Sequence, residues 1–224
     1  MHIGENCDFD FSNNPVREKD ALFFLQYADT KLPAVFNALS VEPYRVTLRF
    51  GDRGGGAFIQ PSTIELGLEH PTNDCGCIIH ESVHAAQHQS ANNGRSGLSL
   101  YSTQTHAFEG IADYYRITLS NDRSGDYFND DKRNLVQNFR TDELYNCASE
   151  FIAHLRIRSG QDSFVVKLNN ALRSGDVMQF VNLFATTFSL SYDQLLREYE
   201  LNRNEIVGGE PGHVNRFEYF TRTV

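Results

Sequence analysis

His80-Glu81-Ser82-Val83-His84 restricts the fold more than any other stretch of this chain. Two histidines four residues apart point the same way only on a helix, where about 40° of rotation separates them. Two imidazoles so placed can grip one ion. Zn²⁺ suits them, because it takes nitrogen donors in tetrahedral geometry, and a hydrolytic zinc site uses three protein ligands and leaves the fourth position to water. Glu81 follows the first histidine directly, where it can take a proton from that water. A helix with this pattern needs a third ligand brought to it from elsewhere in the fold.

The same helix does not supply that ligand. A metzincin would carry a glycine and a third histidine further along the run, but Gln87 and Ser90 stand at those positions. His88 lies one turn on, about 80° around from His80, and is expected to be an ordinary solvated or hydrogen-bonded histidine. Downstream, Thr105 to Leu119 reads as another helix, with Phe108, Ile111, Ala112, Tyr115 and Leu119 near one side. Glu109 and Asp113 are again four apart and share a face. Glu109 can bind the metal, and Asp113 can accept a hydrogen bond from a ligand histidine's other nitrogen, which fixes the tautomer and raises the basicity of the ring. Carboxylates set among core residues need a partner when buried, and a cation provides one.

The rest of the chain suggests an α+β architecture. A long helix from Asp20 to Leu39, bent near Pro33, precedes two alternating segments, Arg45 to Phe50 and Ile64 to Leu68, each a strand with one buried face. The glycine-rich stretch from Gly51 to Gly56 is a connection and not a phosphate loop. It lacks a Gly-Lys-Ser/Thr ending, and the strand-like Ala57-Phe58-Ile59 follows where a helix would be needed. Stop signals at Gly160 and Gly175 and a capping-box pattern at Ser191 to Gln194 divide the second half into four helices, beginning at Tyr145, Ser163, Val177 and Ser191. The expected fold is a small N-terminal mixed or antiparallel sheet with the metal helix, then a mainly helical C-terminal lobe.

At 224 residues and 40% hydrophobic composition, the chain is long enough for one well-buried core, so 1–224 is expected to form a single domain. No apolar run approaches the roughly 18 residues of a membrane-spanning helix. Glu5, Asp8 and Asp10 stand where a secretory leader would be basic and then apolar, so cytoplasmic location, or export without a cleavable leader, is expected. A formal charge of −9 with no basic stripe argues against nucleic acid as a partner. Four cysteines are too sparse for a disulfide scaffold, and Cys75-Gly-Cys77 lacks the two-residue spacer of redox and zinc-knuckle motifs. They are expected to be free, partly buried thiols.

HESVHAAQ at 80–87 followed by EGIADYYR at 109–116 resembles the plant basic secretory protein (BSP) family of candidate zinc peptidases, which also has bacterial and fungal members. RVTLRF, STIELGL, FVVKLNNALRSG and YDQLLREY are similar to other family elements, so the likeness covers residues 17–201 and leaves the tail at 208–224 unassigned. It implies a gluzincin-like, zincin-type site with His80, His84 and Glu109 as zinc ligands, Glu81 as general base and Asp113 behind a ligand histidine. The chain departs from the family's name in being acidic.

These readings together point to zinc-dependent hydrolysis of peptide bonds, with Tyr145 as the first candidate oxyanion donor and Tyr114 or Tyr115 as others. Arg116 could pair with a carboxylate or a substrate carboxyl group. The strand from Ile64 to Glu69 is expected to form a sheet edge along which an extended peptide substrate docks. Two rivals remain open: a zinc-binding interaction protein without turnover, and a zinc hydrolase of a non-peptide amide or ester.

Overall fold

Why the chain buries one helix almost completely follows from two apolar cores that meet on it. The computed structural model describes residues 1–52, 56–60, 62–72, 74–88, 100–120, 144–207 and 224. The first core belongs to a five-stranded mixed sheet of β1 (His2–Ile3), β2 (Cys7–Asp10), β3 (Val46–Gly51), β4 (Gly56–Gln60) and β5 (Thr63–Gly67), in the order β1-β2-β3-β5-β4. β2, β3 and β5 run parallel, and β1 and β4 pair antiparallel at the two margins. Alternate residues Phe9, Val46, Leu48, Phe50, Ile64 and Leu66 turn to one face, where they pack with Phe24, Ala28 and Leu32 of α1 (Glu18–Leu39) and with Ile78. Pro33 sits inside α1 without ending it.

Two expectations about the sheet change. β1 and β2 add strands at the N-terminus that the hydropathy pattern does not announce, because two and four residues are too few to establish a period. β5 is internal, bonded to β3 on one side and β4 on the other, so Ile64 to Glu69 is not the sheet edge. The edge on that side is β4.

The second core is helical. α2 (Gly76–His88) and α3 (Tyr101–Ser120) are followed by α4 (Leu144–Ser159), α5 (Phe164–Arg173), α6 (Val177–Phe188) and α7 (Tyr192–Val207). Gly160 and Gly175 take positive φ of 63° and 64°, the left-handed conformation that lets a helix end in a tight turn. At Ser191 the capping box forms in full: the Ser191 amide donates to Gln194 Oε1 at 2.8 Å, and the Gln194 amide donates to Ser191 Oγ at 3.2 Å. Phe108, Phe151, Phe164 and Phe184 are fully buried here, each worth about 1.5–3 kcal/mol of apolar transfer. Gly110 lets α4 approach α3 closely, since a Cβ at this position would stand 2.8 Å from the Ala148 carbonyl oxygen.

α2 lies where the two cores meet. Ile78 faces the sheet core while Ile79, Val83 and Ala86 face the helical one, and every residue from Gly76 to Gln87 is buried. No helix among the described residues is long and apolar enough to cross a membrane.

Candidate metal centre

Burial on all sides forces the polar residues of α2 to find partners inside the protein, and His80, His84 and Gln87 find partners on α3. His80 Nε2 and His84 Nε2 lie 3.0 Å apart, one helical turn from each other as their spacing dictates. Glu109 Oε2, from α3, lies 3.2 Å from each of them. Zinc bonds of about 2.0–2.2 Å in tetrahedral geometry place donor atoms about 3.3–3.5 Å apart. The three atoms therefore already form nearly the triangle that such an ion needs.

The other ring nitrogens determine what those three atoms present. His80 Nδ1 is 2.7 Å from Asp113 Oδ1, and His84 Nδ1 is 2.8 Å from Gln87 Oε1, both of which can only accept. Gln87 is kept in that orientation by donating from Nε2 to the Phe108 carbonyl at 3.5 Å. With the Nδ1 protons spent on these acceptors, both Nε2 lone pairs and a carboxylate oxygen face one another in the core. Three acceptors at such distances repel unless a cation lies among them. This donor set fits Zn²⁺, and the buried His80, His84 and Glu109 group could hold a metal.

Charges respond accordingly. Burial alone would lower the His80 pKa, but the carboxylates of Asp113 and Glu109 outweigh it and raise the pKa to about 10 in the metal-free chain. Burial alone would raise that of Glu109, but the two imidazoles overcome it and hold the carboxyl well below its ordinary range. A second support comes from Tyr101, whose hydroxyl donates to Glu109 Oε1 and leaves Oε2 for the triangle.

Glu81 is buried on α2 beside the sheet edge. The backbone of β4 passes so close that a Cβ at Gly56 would lie 3.2 Å from Glu81 Cγ. Thus the glutamate adjoins an edge strand, one residue along α2 from His80.

The fold brings His80, His84, Glu109 and Asp113 together, keeps Glu81 next to His80 on α2, and leaves other expected residues apart. His88 is outside the cluster. Tyr115 donates its hydroxyl to the Ala38 carbonyl of α1 at 3.0 Å, so it serves packing and is not an oxyanion donor. Tyr114 is buried edge-on against it. Arg116 pairs with Asp74 at 2.5 Å. Tyr145 belongs to the first turn of α4, its side chain outside the described residues; the connection at 53–55 and the tail at 208–223 lie outside them as well.

Gln87 and Tyr101 are the partners that sequence reading missed. Gln87 was legible, since residues three apart on a helix are neighbours and His84 to Gln87 has that spacing. Tyr101 was not, because the non-helical Gln104 (φ −126°) interrupts the periodicity between it and Glu109.

A family model described as BSP, peptidase of plants and bacteria, matches residues 59–199, well over half of the chain and including the whole His-His-Glu group. The match begins later than the likeness read from Arg17 onward. No curated protein and no solved structure matches the chain.

Proposed function

The chain belongs to the BSP family of peptidases of plants and bacteria, and we propose that it is a zinc-dependent peptidase acting through His80, His84, Glu109 and Glu81. The observation that carries this reading is the buried triangle of two imidazole nitrogens and one carboxylate oxygen, with the ring protons directed away from it. Bound zinc would polarise the scissile carbonyl and lower the pKa of a water beside it.

The chain's own residues do the rest. Asp113 and Gln87 hold the two imidazoles in the tautomer that offers Nε2, and Tyr101 orients Glu109. Glu81 accepts the water's proton at its carboxylate and passes it to the departing amine. Tyr145, on α4, is the proposed donor to the developing oxyanion. A peptidase family implies protein or peptide substrates, and the β4 edge beside Glu81 suits an extended segment that adds by main-chain hydrogen bonds.

The test is Glu81→Gln, measured for zinc content and for turnover of a peptide library. Zinc should stay bound while kcat falls about 10²–10⁴-fold, the usual contribution of a general base. Unchanged turnover would remove Glu81 from the reaction. If wild-type protein binds zinc without any chelator-sensitive turnover, the binding-protein reading replaces this one.

A further inference from the structure

A second group of donors converges at the entrance to α2, on the loop that leads in from β5. His70, Asp74 and Cys77 each offer one ligand atom, and the three atoms lie within 4.8 Å of one another. None of them belongs to the His-His-Glu group. His70 Nε2 is 3.0 Å from Cys77 Sγ and also 3.0 Å from the Asp74 carbonyl oxygen. His70 is 3% exposed and Cys77 5%.

The loop is held from outside. Arg17 donates to the Leu68 and His70 carbonyls at 2.5 and 2.7 Å, and the His70 ring packs on Phe24 with centroids 5.7 Å apart. Arg116, from the helix that carries Glu109, donates to Asp74 Oδ1.

Hydrogen bonding among the described residues leaves one atom of this cluster unsatisfied, His70 Nδ1. If His70 carries its proton on Nε2 and donates to the Asp74 carbonyl, Nδ1 is a lone pair in the core with no donor. If the proton sits on Nδ1, a buried donor has no acceptor, and the Nε2 lone pair faces a carbonyl oxygen as well as the Cys77 thiol. Among the described residues Nδ1 is buried without a hydrogen-bond partner. With the proton on Nδ1, a cation that takes the Nε2 lone pair together with the Cys77 thiolate and the Asp74 carboxylate relieves the contact between that lone pair and the carbonyl oxygen. Sulfur and imidazole ligands select zinc over magnesium or calcium, which prefer oxygen.

We propose that His70, Asp74 and Cys77 form a second Zn²⁺ site, independent of the His80, His84 and Glu109 group. Its ligands span His-x3-Asp-x2-Cys, a local loop of the kind that zinc organises, and not the Cys-x2-Cys pair that sequence reading looks for. Through Arg116 the site ties the start of α2 to α3, the two helices that carry the other group. With three protein ligands and a fourth position left to water, the site fixes the helix on which His80 and His84 are mounted.

The two sites differ in one element, sulfur, and that difference gives the test. Reduced full-length chain should bind two zinc ions. Loaded with cobalt, it should show a sulfur-to-metal charge-transfer band, which the His-His-Glu group has no sulfur to produce. His84→Ala should retain one zinc and the band, whereas Cys77→Ser should retain one zinc and lose the band. His70→Gln should also leave one zinc ion per chain. A single zinc in wild type without the band reduces the His70–Cys77 contact to an ordinary thiol-imidazole hydrogen bond and overturns the proposal. A band that persists in Cys77→Ser assigns the metal to another thiol and overturns it too. The wild-type cobalt spectrum decides the matter even if a variant fails to fold, and failure of the peptidase reading would leave it unchanged.

Discussion

Two buried glutamates on neighbouring helices meet the same electrostatic problem in opposite ways. Glu150, on α4, is 1% exposed and receives Arg203 at 2.7, 2.9 and 2.9 Å and the Tyr199 hydroxyl at 3.1 Å. The chain neutralises that carboxylate with a cation of its own, in a fixed fork that never deprotonates. Glu109, on α3, is 3% exposed and faces two imidazoles whose protons are turned elsewhere. Here the neutralising charge must come from a proton or a metal. A buried carboxylate completed by arginine supports the fold, and one left to an exchangeable cation is the better place to look for chemistry.

The largest expected effect is at the closed site. Arg203→Ala strands the Glu150 charge in the helical core and should cost about 3–5 kcal/mol in urea unfolding, equally with and without zinc. A loss below about 1 kcal/mol would mean that Glu150 finds another partner, and the contrast with Glu109 would collapse. Next comes the open site, whose stability should follow the metal. In Cys77→Ser, which isolates the His-His-Glu group, zinc at about 100–1,000 times its Kd should add about 2.7–4.1 kcal/mol to unfolding. Adding Glu109→Ala should abolish the increment. If the increment survives, Glu109 is not a ligand.

The same contrast explains what could be read in the sequence. His80, His84, Glu109 and Asp113 are paired at i,i+4 spacing on two helices, so their shared faces follow from helix geometry alone. The helix ends at Gly160, Gly175 and Ser191 were equally local, because each depends on a few consecutive residues. Glu150 and Arg203 are 53 positions apart, and no spacing rule links them; only the packing of α4 against α7 does. Strand order failed for the same reason. Alternation in Ile64-Glu65-Leu66 identifies a strand and its buried face, but hydrogen-bonded neighbours on both sides are a matter of tertiary pairing. Cys77 has Cys75 as its thiol neighbour in sequence, while the fold pairs it with His70.

A smaller effect separates the imidazoles within the open site. His80 rests on the charged Asp113, His84 on the neutral amide of Gln87. Gln87→Leu keeps the volume but removes the acceptor, and should weaken zinc binding about 10–100-fold in a chelator competition. Gln87→Glu restores an acceptor and should recover the affinity. Equal affinities for the leucine variant and wild type would show that His84 needs no orienting partner.

The last effect is titration of the metal-free chain, where a proton on His80 stands in for the ion. Its folded pKa, about 10, lies above the ordinary 6.5 although burial opposes the charged form, because Asp113 and Glu109 favour it. A raised folded pKa means that the protonated ring contributes stability in full below about 6.5 and loses it as pH climbs through about 10. The Tm of chelated protein should therefore fall across that window. Zinc-loaded protein should show no such fall, since the metal takes the proton's place, and chelated His80→Gln should show none because it has no proton to lose. Arg203 keeps its charge throughout, so the Glu150 site contributes nothing to the slope. A flat profile for the chelated wild type would mean that the Glu109 site is neutralised by something other than His80 when the metal is gone.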